Sequence, residues 1–479
     1  MTRHIPSWFL LLAMLLPIGL QAQNYFNRFY KQNTIQSSLG TVVAISDSEY
    51  VAVGKDFTIG GLLFFKVNHN GDSMIQKVIS DSLHYYYPGT GRFLQKFEGK
   101  NIVIGGAIND TAGISRALLV VYDSLGDTIL SRSFGFGIED IGYCARQTKD
   151  SGFVLTGTHY PSANVKDILL IKCDAGGNLE WWKKYSNSGR ISGLNVEECS
   201  DGGFIIGGIY RFTSGESRPY VLRTDSTGNL EWQKSYGSIE NNGGCFAIQL
   251  SDGNYLLSGA NDYGDGKDLQ AVLWKVDSDG KIIWERASGS KLTDYNQTSA
   301  IELEDGSIVA GGMTAGLKAA WLIKYSANGD SLWKHEYFGP FGISGLIDMY
   351  GFDVLPNGGF IICGTGAGIQ GDIDGWLLKV DSFGCPVMDC QLVWRENDAS
   401  TDRIGVYPNP ATEYLNIVMP GNAAGDFQLY DVNGILVKKT VIHSAHIEIT
   451  IMDLQMGMYF WRFTGDDGRK ATGKLSVVK

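Results

Sequence analysis

The chain has 479 residues, a formal net charge of −11 and only 19% charged residues, so it is long enough for several domains and has the composition of neither a coiled coil nor a disordered acidic chain. Its 62 glycines against 11 prolines, with 12% aromatic residues, favour many tight turns between aromatic-rich strands. The acidic balance, without a lysine or arginine cluster, argues against nucleic acid and anionic membranes as partners.

The first 22 residues have the pattern of a secretory signal peptide. Arg3 precedes an apolar run from Trp8 to Leu20, and the small Ala22 follows it. The run is short and weakly flanked for a membrane-spanning helix, and no later stretch approaches the roughly 18 consecutive apolar residues that such a helix needs. We therefore expect a signal peptide at 1–22 and no transmembrane segment in the mature chain, with an uncleaved membrane anchor as the alternative.

A repeat of about 52 residues occupies residues 23–390. A turn glycine marks each copy with successive spacings of 55, 51, 51, 52, 49 and 55 residues, at Gly71, Gly126, Gly177, Gly228, Gly280, Gly329 and Gly384. A second marker, for example "SDGGFIIGG" or "EDGSIVAGG", keeps step with it. Each copy holds four short alternating segments, two of them joined by Asp/Gly turns, which predicts a four-stranded meander. Seven such units predict an all-β fold, a seven-bladed β-propeller, with a β-solenoid as the alternative.

The seventh copy lacks its fourth strand. After Gly384 the sequence continues as "CPVMDC", whereas "NYFNRFYKQN" at residues 24–33 is an aromatic strand that precedes the first copy. Because unpaired strand edges invite aggregation, we expect residues 25–30 to pair antiparallel with the strand around Leu377 to Val380, or with "CPVMD", and so to close the last blade. The recurring tryptophans are expected on fourth strands, packed between blades, at Trp181, Trp232, Trp284 and Trp333.

All seven cysteines follow the predicted signal peptide. Cys385 and Cys390 are spaced so that they could close a small disulfide loop. The other five are scattered along predicted strands, where a free thiol packs as a small apolar group.

Loops of variable sequence are the candidates for a binding surface. Strand alternation places the two regular hairpins of each copy on one face and the variable connections, such as "IYRFTSGESRPY" and "NDYGDGKD", on the other. A rigid frame with variable loops on one face commonly presents a binding site there, although plain solvated loops are the alternative. The candidate ligand-binding residues are Tyr210, Arg211, Arg218, Tyr220, Asp262, Tyr263, Asp265, Asp372 and Asp374.

Signatures of catalysis or of a metal site are lacking in the sequence. The carboxylates of "NDYGDGKD" and "GDIDG" could attract Ca²⁺, but neither stretch has EF-hand spacing. There is no nucleophile elbow, phosphate-binding loop or CxxC pair. We therefore predict no catalytic residue, no metal and no cofactor. The repeated DxxGxxxW pattern resembles the tryptophan-docking motif of pyrroloquinoline quinone dehydrogenases, but the cysteine pair found in many of them has no counterpart, so the resemblance implies architecture only.

A different sequence pattern begins after a polar linker at residues 391–402. Period-2 runs with Asn-Gly and Asp-Gly turns predict a small β-sandwich at 403–479. Its motifs "YPNPATEYLNI", "YDVNG", "GMYF" and "KLSVVK" resemble the type A C-terminal sorting domain of the type IX secretion system of Bacteroidetes. The matching residues include Tyr407, Pro408, Asn409, Pro410, Asp431, Gly434, Gly457 and Tyr459. A generic adhesive β module is the alternative.

The resemblance implies a route of export and a location outside the cell. The signal peptide would carry the chain into the periplasm, and the type IX secretion machinery, the expected partner, would then deliver it to the outer cell surface or the medium. We accordingly predict a secreted or surface-attached propeller that binds an unknown extracellular glycan or protein. The alternative is a secreted polysaccharide hydrolase or lyase on the same scaffold.

Overall fold

The computed structural model describes residues 25–477 with gaps at 31–36, 81–83, 90–93, 98–101, 110–111, 239–241, 264–268, 289–294, 315–318, 341–346, 368–372, 387–403, 408–410, 412, 420–423, 432–434, 445 and 467–469. Within the described ranges the chain forms strands and turns and no helix, which confirms the all-β prediction. The predicted signal peptide at 1–22 and the predicted linker at 391–402 lie outside the described residues.

The chain begins with strand β1 (Phe26–Tyr30) and continues through antiparallel sheets, which we number 1 to 7 in chain order. Sheet 1 contains β2 (Ser37–Ser46), β3 (Glu49–Asp56), β4 (Gly61–Asn68) and β5 (Ser73–Ile79). Sheet 2 contains β6 (Tyr85–Pro88), β7 (Leu94–Lys96), β8 (Ile102–Asn109), β9 (Ser115–Tyr122) and β10 (Thr128–Phe134). Sheet 3 contains β11 (Glu139–Gln147), β12 (Phe153–Ser162), β13 (Val165–Cys173) and β14 (Leu179–Tyr185).

The later sheets repeat the four-stranded plan. Sheet 4 contains β15 (Arg190–Glu198), β16 (Phe204–Arg211), β17 (Ser217–Thr224) and β18 (Leu230–Ser235). Sheet 5 contains β19 (Cys245–Gln249), β20 (Tyr255–Asn261), β21 (Gln270–Val276) and β22 (Ile282–Ser288). Sheet 6 contains β23 (Tyr295–Glu302), β24 (Ile308–Thr314), β25 (Ala319–Tyr325) and β26 (Ser331–Tyr337). Sheet 7 contains β27 (Ile347–Val354), β28 (Phe360–Ala367) and β29 (Ile373–Val380).

Strand β1 supplies the fourth strand of sheet 7, whose order is β1-β29-β28-β27. It runs antiparallel to β29, with Phe26 opposite Lys379 and Tyr30 opposite Gly375. This is the pairing that the sequence predicts for residues 25–30. Sheet 2 departs from the plan, because β6 and β7 both pair with β8 and together replace a single first strand.

Burial explains why the middle strands are so apolar. In β13 every residue from Ile168 to Cys173 is buried, so the strand is covered on both faces, and apart from Lys172 this stretch is apolar. The fourth strand β14, "LEWWKKY", has mostly half-buried or exposed side chains. The fourth strands therefore form the solvent-facing edge of the sheets.

Each boundary between neighbouring sheets has its own hydrophobic core. Between sheets 3 and 4, for example, Val154 and Ile168 pack with Phe204 and Leu222. Equivalent cores join sheets 1 and 2, 2 and 3, 4 and 5, 5 and 6, and 6 and 7. A further core joins the two ends of the series, because Leu377 of sheet 7 packs in one cluster with residues of sheet 1 that include Leu39 and Phe65.

The turn that follows the third strand is constructed in the same way in every sheet, and in sheets 1 to 6 it leads into the fourth strand. In sheet 4 the Oδ1 atom of Asp225 accepts hydrogen bonds from the backbone N–H groups of Thr227 (2.9 Å) and Asn229 (2.8 Å). Gly228 follows with φ of 76°, a conformation that side chains disfavour, which explains why glycine recurs with the period. The side-chain acceptors at the equivalent positions are Asn68, Asp123, Asp174, Asp277, Ser326 and Asp381.

The two sequence landmarks, the tryptophan and the turn glycine, meet across the sheet boundaries. A Cβ atom placed on Gly228 would lie 2.8 Å from the Trp181 ring of the preceding sheet, and one on Gly280 would lie 3.1 Å from the Trp232 ring. The same relation holds between Trp333 and Gly384, again at 3.1 Å. The tryptophan of one sheet thus covers the turn of the next and leaves no room for a side chain there.

A tyrosine four residues after each of these tryptophans holds the same glycine. The hydroxyl groups of Tyr185, Tyr236 and Tyr337 donate to the carbonyl oxygens of Gly228, Gly280 and Gly384 at 2.7, 2.9 and 2.8 Å.

Strand β1 contains an equivalent aromatic pair. Phe26 lies against Gly71 of sheet 1, and the Tyr30 hydroxyl donates to the Gly71 carbonyl at 2.7 Å. The sheet 7 to sheet 1 boundary therefore uses the contact that joins sheets 3 and 4, 4 and 5, and 6 and 7.

The C-terminal part forms two further antiparallel sheets. Its strands are β30 (Gly405–Tyr407), β31 (Tyr414–Val418), β32 (Gly425–Tyr430), β33 (Leu436–Ile442), β34 (His446–Thr450), β35 (Gly457–Gly465) and β36 (Lys470–Val477). The sheet orders are β30-β31-β34 and β33-β32-β35-β36. One core contains side chains of both sheets, including Leu415 and Ile417 of the first and Phe427, Leu429 and Trp461 of the second.

The cysteines fall into two groups. Cys385 is in a disulfide bond, while Cys390, its predicted partner, lies outside the described residues. The free and buried thiols among the described residues are Cys144, Cys173, Cys199, Cys245 and Cys363, as the sequence predicts.

Candidate functional site

Each sheet has two chemically different ends. Antiparallel order places the connection between the second and third strands, which we call the loop end, opposite the two short hairpins, which we call the turn end. At the turn end, polar groups of successive sheets satisfy one another. The backbone N–H groups of Lys149 and Ser200 donate to the side chains of Glu198 (2.7 Å) and Gln249 (2.6 Å) of the next sheet. These N–H groups are therefore already occupied by protein acceptors.

The loop end of sheet 4 brings four of the predicted ligand-binding residues together. Tyr210 at the end of β16 is opposite Arg218 at the start of β17, and Arg211 is opposite Ser217. Tyr210 and Tyr220 are only 9% and 2% exposed. Their hydroxyl groups bond to Ser188 Oγ (3.0 Å) and to the Asn187 amide (2.9 Å). The two buried tyrosines therefore hold the segment before β15 that contains Asn187 and Ser188.

The two arginines of this end have surroundings different from those of the tyrosines. Arg211 is exposed and lies near Tyr143 of sheet 3. Burial raises the pKa of Tyr143, and the positive charge of Arg211 acts in the opposite direction. Arg218 is half-buried, with its guanidinium carbon 5.4 Å from the centre of the Phe212 ring. Its Nε–H group is buried without an acceptor in the described structure.

Asp262 and Tyr263 follow β20 in the neighbouring sheet 5. Asn242 connects them to sheet 4, since its side-chain oxygen accepts from the Asp262 N–H at 2.6 Å and its carbonyl accepts from the Ser217 hydroxyl. Tyr263 is 38% exposed and its hydroxyl donates to Glu285. Asp262 is half-buried.

The remaining predicted residues do not join this group. Asp374 is 4% exposed and belongs to β29 of sheet 7, which shares its cores with sheets 6 and 1. Asp265 and Asp372 lie outside the described residues, so their placement stays a prediction.

A second group at the loop end was not singled out from the sequence. Phe57, Ile59, Tyr85 and Tyr87 are 51%, 47%, 60% and 38% exposed at the junction of sheets 1 and 2. The Lys55 ammonium lies 3.7 Å from the centre of the Tyr87 ring and 5.6 Å from that of Phe57, and desolvation lowers its pKa. The run "YYYP" at residues 85–88 was the available signal, because three successive tyrosines cannot all point into one face of a strand.

Sheet 3 contributes a buried Asp–His pair at its loop end. His159 Nδ1 and Asp140 Oδ1 are 2.7 Å apart, and the two residues are 3% and 0% exposed. The other Asp140 oxygen accepts from the N–H groups of Phe136 (2.6 Å) and Gly137 (2.9 Å). The Trp182 ring covers the imidazole at 5.4 Å. The pair therefore fixes the loop before β11 and offers no open face to a substrate.

Cavities and acidic clusters add little to these two groups. A void of about 10 Å³, lined by residues that include Arg146 and Glu197, has room for roughly one water molecule. In the part of the chain that the structure describes, no three His, Cys, Asp or Glu side chains come together as a metal site. None of the described segments is a helix with the length and apolar character required to cross a bilayer.

The predicted sorting motifs lie on the C-terminal sheets. Asp431 forms a turn in which its Oδ1 atom accepts from the Ile435 N–H at 2.8 Å. Gly457 has φ of 155°, and Tyr459 is 7% exposed with its hydroxyl bonded to the Gln455 carbonyl at 2.8 Å. Burial raises the pKa of Tyr407 on β30. Pro408, Asn409, Pro410 and Gly434 lie outside the described residues.

Similar solved structures have low sequence identity to this chain. The β-propeller domain of the Trilobed protease from Pyrococcus furiosus is 11% identical with a TM-score of 0.43, over 76% of this chain and 99% of that one. PorZ, a surface component of the type-IX secretion system of Porphyromonas gingivalis, is 12% identical with a TM-score of 0.30, over 90% and 68%. Pyrococcus horikoshii acylaminoacyl peptidase is 11% identical with a TM-score of 0.40, over 82% and 57%. No curated protein matches the chain.

The C-terminal sheets have a family assignment. Residues 405–478 match the family described as the secretion system C-terminal sorting domain. This span holds the two sheets with their common core and the motifs that the sequence singled out. The chain therefore carries a type IX secretion C-terminal sorting domain and is exported to the cell surface or the extracellular space.

Proposed function

We propose that this protein is a secreted or surface-attached seven-bladed β-propeller, of Bacteroidetes origin, that binds an extracellular glycan or protein at the loop ends of its sheets. The exposed apolar group at the junction of sheets 1 and 2 carries the proposal. A ring closed by β1 and an export domain complete it.

The order of the hydrophobic cores supports a closed ring. Each sheet shares one core with the sheet before it and another with the sheet after it, and sheet 7 shares one with sheet 1. A linear stack would leave its first and last sheets with an uncovered apolar face. The Tyr30 to Gly71 hydrogen bond repeats the contact of three other boundaries, which supports closure.

The C-terminal sheets support a β-sandwich. Their inward-facing side chains form one core, and Leu415, Phe427 and Leu429 within it are almost fully buried. Two sheets facing one another across such a layer are the general plan of a sandwich. This compact unit is the part that the type IX secretion machinery would recognise, while the propeller carries the activity outside the cell.

The group at sheets 1 and 2 has the character of a contact surface. Four large side chains, at Phe57, Ile59, Tyr85 and Tyr87, are exposed at this one junction of two sheets. Contiguous exposed apolar patches on secreted proteins mark interaction sites more often than chance. Tyrosine adds a polar hydroxyl to a flat ring, which suits contact with a glycan or a protein.

Screening of the purified full chain on glycan and protein arrays tests the proposal. We expect at least one ligand whose binding falls about tenfold or more in a Tyr85→Ser, Tyr87→Ser double variant, because about 1.4 kcal/mol of lost contact corresponds to tenfold. Tyr414→Ser is the matched control, since Tyr414 is 44% exposed on the sorting domain. Release of reducing ends from a polysaccharide would support the hydrolase or lyase alternative, and no ligand on either array would contradict the proposal.

A further inference from the structure

Positive charge concentrates at the loop ends of sheets 3 and 4. Arg190 at the start of β15 lies directly opposite Arg211 at the end of β16. Residues directly opposite in antiparallel strands project from the same face of the sheet, so the two arginine side chains leave the sheet at adjacent positions on one face. Lys166 at the start of β13 adds a third cation, with its ammonium 5.0 Å from the Tyr160 ring.

In the described structure these cations have no acidic partner, whereas several other arginines do. Arg223 lies against Asp201 and 3.6 Å from Glu231, and Arg146 lies 3.6 Å from Glu197. Arg190 instead donates to the neutral Asn164, at 3.1 Å to its carbonyl and 3.4 Å to its side-chain oxygen. Among the described residues the Arg211 side chain neither donates a hydrogen bond nor forms an ion pair.

Two like charges placed directly opposite each other destabilise a sheet. The Arg211 side chain forms no hydrogen bond or ion pair in the described structure, and it lies opposite a second arginine. It therefore makes no contact that would stabilise the fold. The half-buried Arg218 nearby adds a buried Nε–H without an acceptor. A chain whose formal net charge is −11 has many acidic side chains, and none of the described ones neutralises this pair. An external anion would resolve the conflict.

We propose that Arg190 and Arg211 bind the acid group of an anionic glycan, a carboxylate or a sulfate ester, an inference that rests on the proposed binding function. Guanidinium groups bind the oxygens of planar carboxylates and of tetrahedral sulfate esters through paired hydrogen bonds. The neutral polar groups beside them, Asn187, Ser188 and Asn164, suit a ligand that also carries hydroxyl groups. The half-buried Phe212 ring supplies an apolar surface next to them.

The test measures binding of the purified full chain to four immobilised polymers. Polygalacturonate supplies carboxylates, dextran sulfate supplies sulfate esters, dextran is the matched neutral glycan, and poly-glutamate is an acidic peptide. We expect binding to one or both acidic glycans, no binding to dextran, and weaker binding as the salt concentration rises, because salt screens exposed charges.

The variant Arg211→Gln separates binding from folding. We expect its affinity for the acidic glycan to fall about tenfold or more, since hydrogen bonds to charged groups contribute that much. Its melting temperature without ligand should be unchanged or higher, because a like-charge contact is removed. Arg462→Gln is the control with the same change in charge, since Arg462 is exposed on the sorting domain. Arg211→Lys keeps the charge and should retain only part of the affinity.

Four results would overturn the inference. Equal binding to dextran and dextran sulfate, or unchanged affinity in Arg211→Gln, would leave the proposed binding function standing without an acid site here. Preference for poly-glutamate over both glycans would reassign the arginines to an acidic peptide. Failure to bind any polymer, together with an array ligand that depends on Tyr85 and Tyr87, would confine binding to sheets 1 and 2.

Discussion

Contacts made by single residues at the sheet boundaries explain why the same residues recur from one copy of the repeat to the next. The tyrosine hydroxyl that reaches the next glycine carbonyl is buried, so its loss leaves a carbonyl oxygen without a donor. Tyr236, which is 5% exposed, donates to Gly280 in this way. The contact is local to one boundary, and its contribution can be measured there.

We predict that Tyr236→Phe lowers the free energy of unfolding by about 1 kcal/mol, the typical value of one buried hydrogen bond. Chemical denaturation of the purified chain measures it. Tyr414→Phe, at a side chain that is 44% exposed, should change the value by less than about 0.5 kcal/mol. Equal effects of the two substitutions would contradict the role assigned to the hydroxyl.

Buried thiols predict a loss of stability at alkaline pH. Burial raises the pKa of Cys245 and that of Cys199 from 9.0 to about 12. In the unfolded chain these thiols ionise near pH 9, whereas in the fold they stay protonated until about pH 12. Their contribution is therefore fully present below pH 9 and falls as the pH rises from 9 to 12. The denaturation midpoint against pH should fall less steeply in Cys245→Ala, and an identical slope would refute the assignment.

At the scale of residues, the sequence predicted the features that depend on backbone conformation. It did not predict those that depend on the register of strand pairing. The turn glycines were found because their positive φ excludes other residues. Tyr210 and Tyr220 were predicted beside Arg211 and Arg218, but only the pairing of β15, β16 and β17 reveals that the tyrosines lie beneath the loop. One residue of register changes which face a side chain occupies, and the sequence does not report it.

At the scale of elements, the missing fourth strand of the seventh copy was the informative defect. It predicted the pairing of β1 with β29, because a ring must cover its last edge. The division of the first strand of sheet 2 into β6 and β7 was not predicted. Pro88 ends β6 and cannot donate to the ladder, which accounts for a break at this point.

Deletion of residues 24–33 should uncover the edge of β29 between Gly375 and Lys379. The Trp376 indole would also lose its hydrogen bond to Asn27, which is 2.7 Å long. We expect a lower melting temperature and concentration-dependent association, measured by calorimetry and light scattering. A synthetic peptide of residues 24–33 should reverse both effects, and the same peptide with Phe26→Ser and Tyr30→Ser should not. A deletion variant that stays monomeric and equally stable would exclude closure by β1.

At the scale of the whole molecule, the repeated all-β fold and the export of the chain could be predicted from the sequence, whereas the ligand could not. Period, turn chemistry and the sorting motifs are repeated or clustered, so each is supported several times. The proposed acid site depends on Arg190 and Arg211, which become opposite one another only when strands pair. That proposal and the apolar group at sheets 1 and 2 therefore had to come from the fold.

The C-terminal domain should be separable from the rest of the chain. Its core consists of residues from 404 onward and contains no side chain of sheets 1 to 7. Removal of residues 403–479 should therefore leave the melting temperature of the remaining part nearly unchanged, as expected for domains joined by a polar linker. Calorimetry of the full and truncated chains measures the difference. A large drop would mean that the two parts stabilise each other.

Export is where the truncation should have its effect. A chain without residues 403–479 keeps the predicted signal peptide at 1–22, so it should cross the inner membrane and accumulate, folded, in the periplasm. Fractionation of the native host with antibody detection compares the truncated and full chains, and a fusion of residues 403–479 to an unrelated periplasmic protein supplies the converse test. We expect the fusion to reach the cell surface or the medium. If the truncated chain still leaves the cell normally, export does not depend on the domain, and its exposed strands must serve adhesion instead.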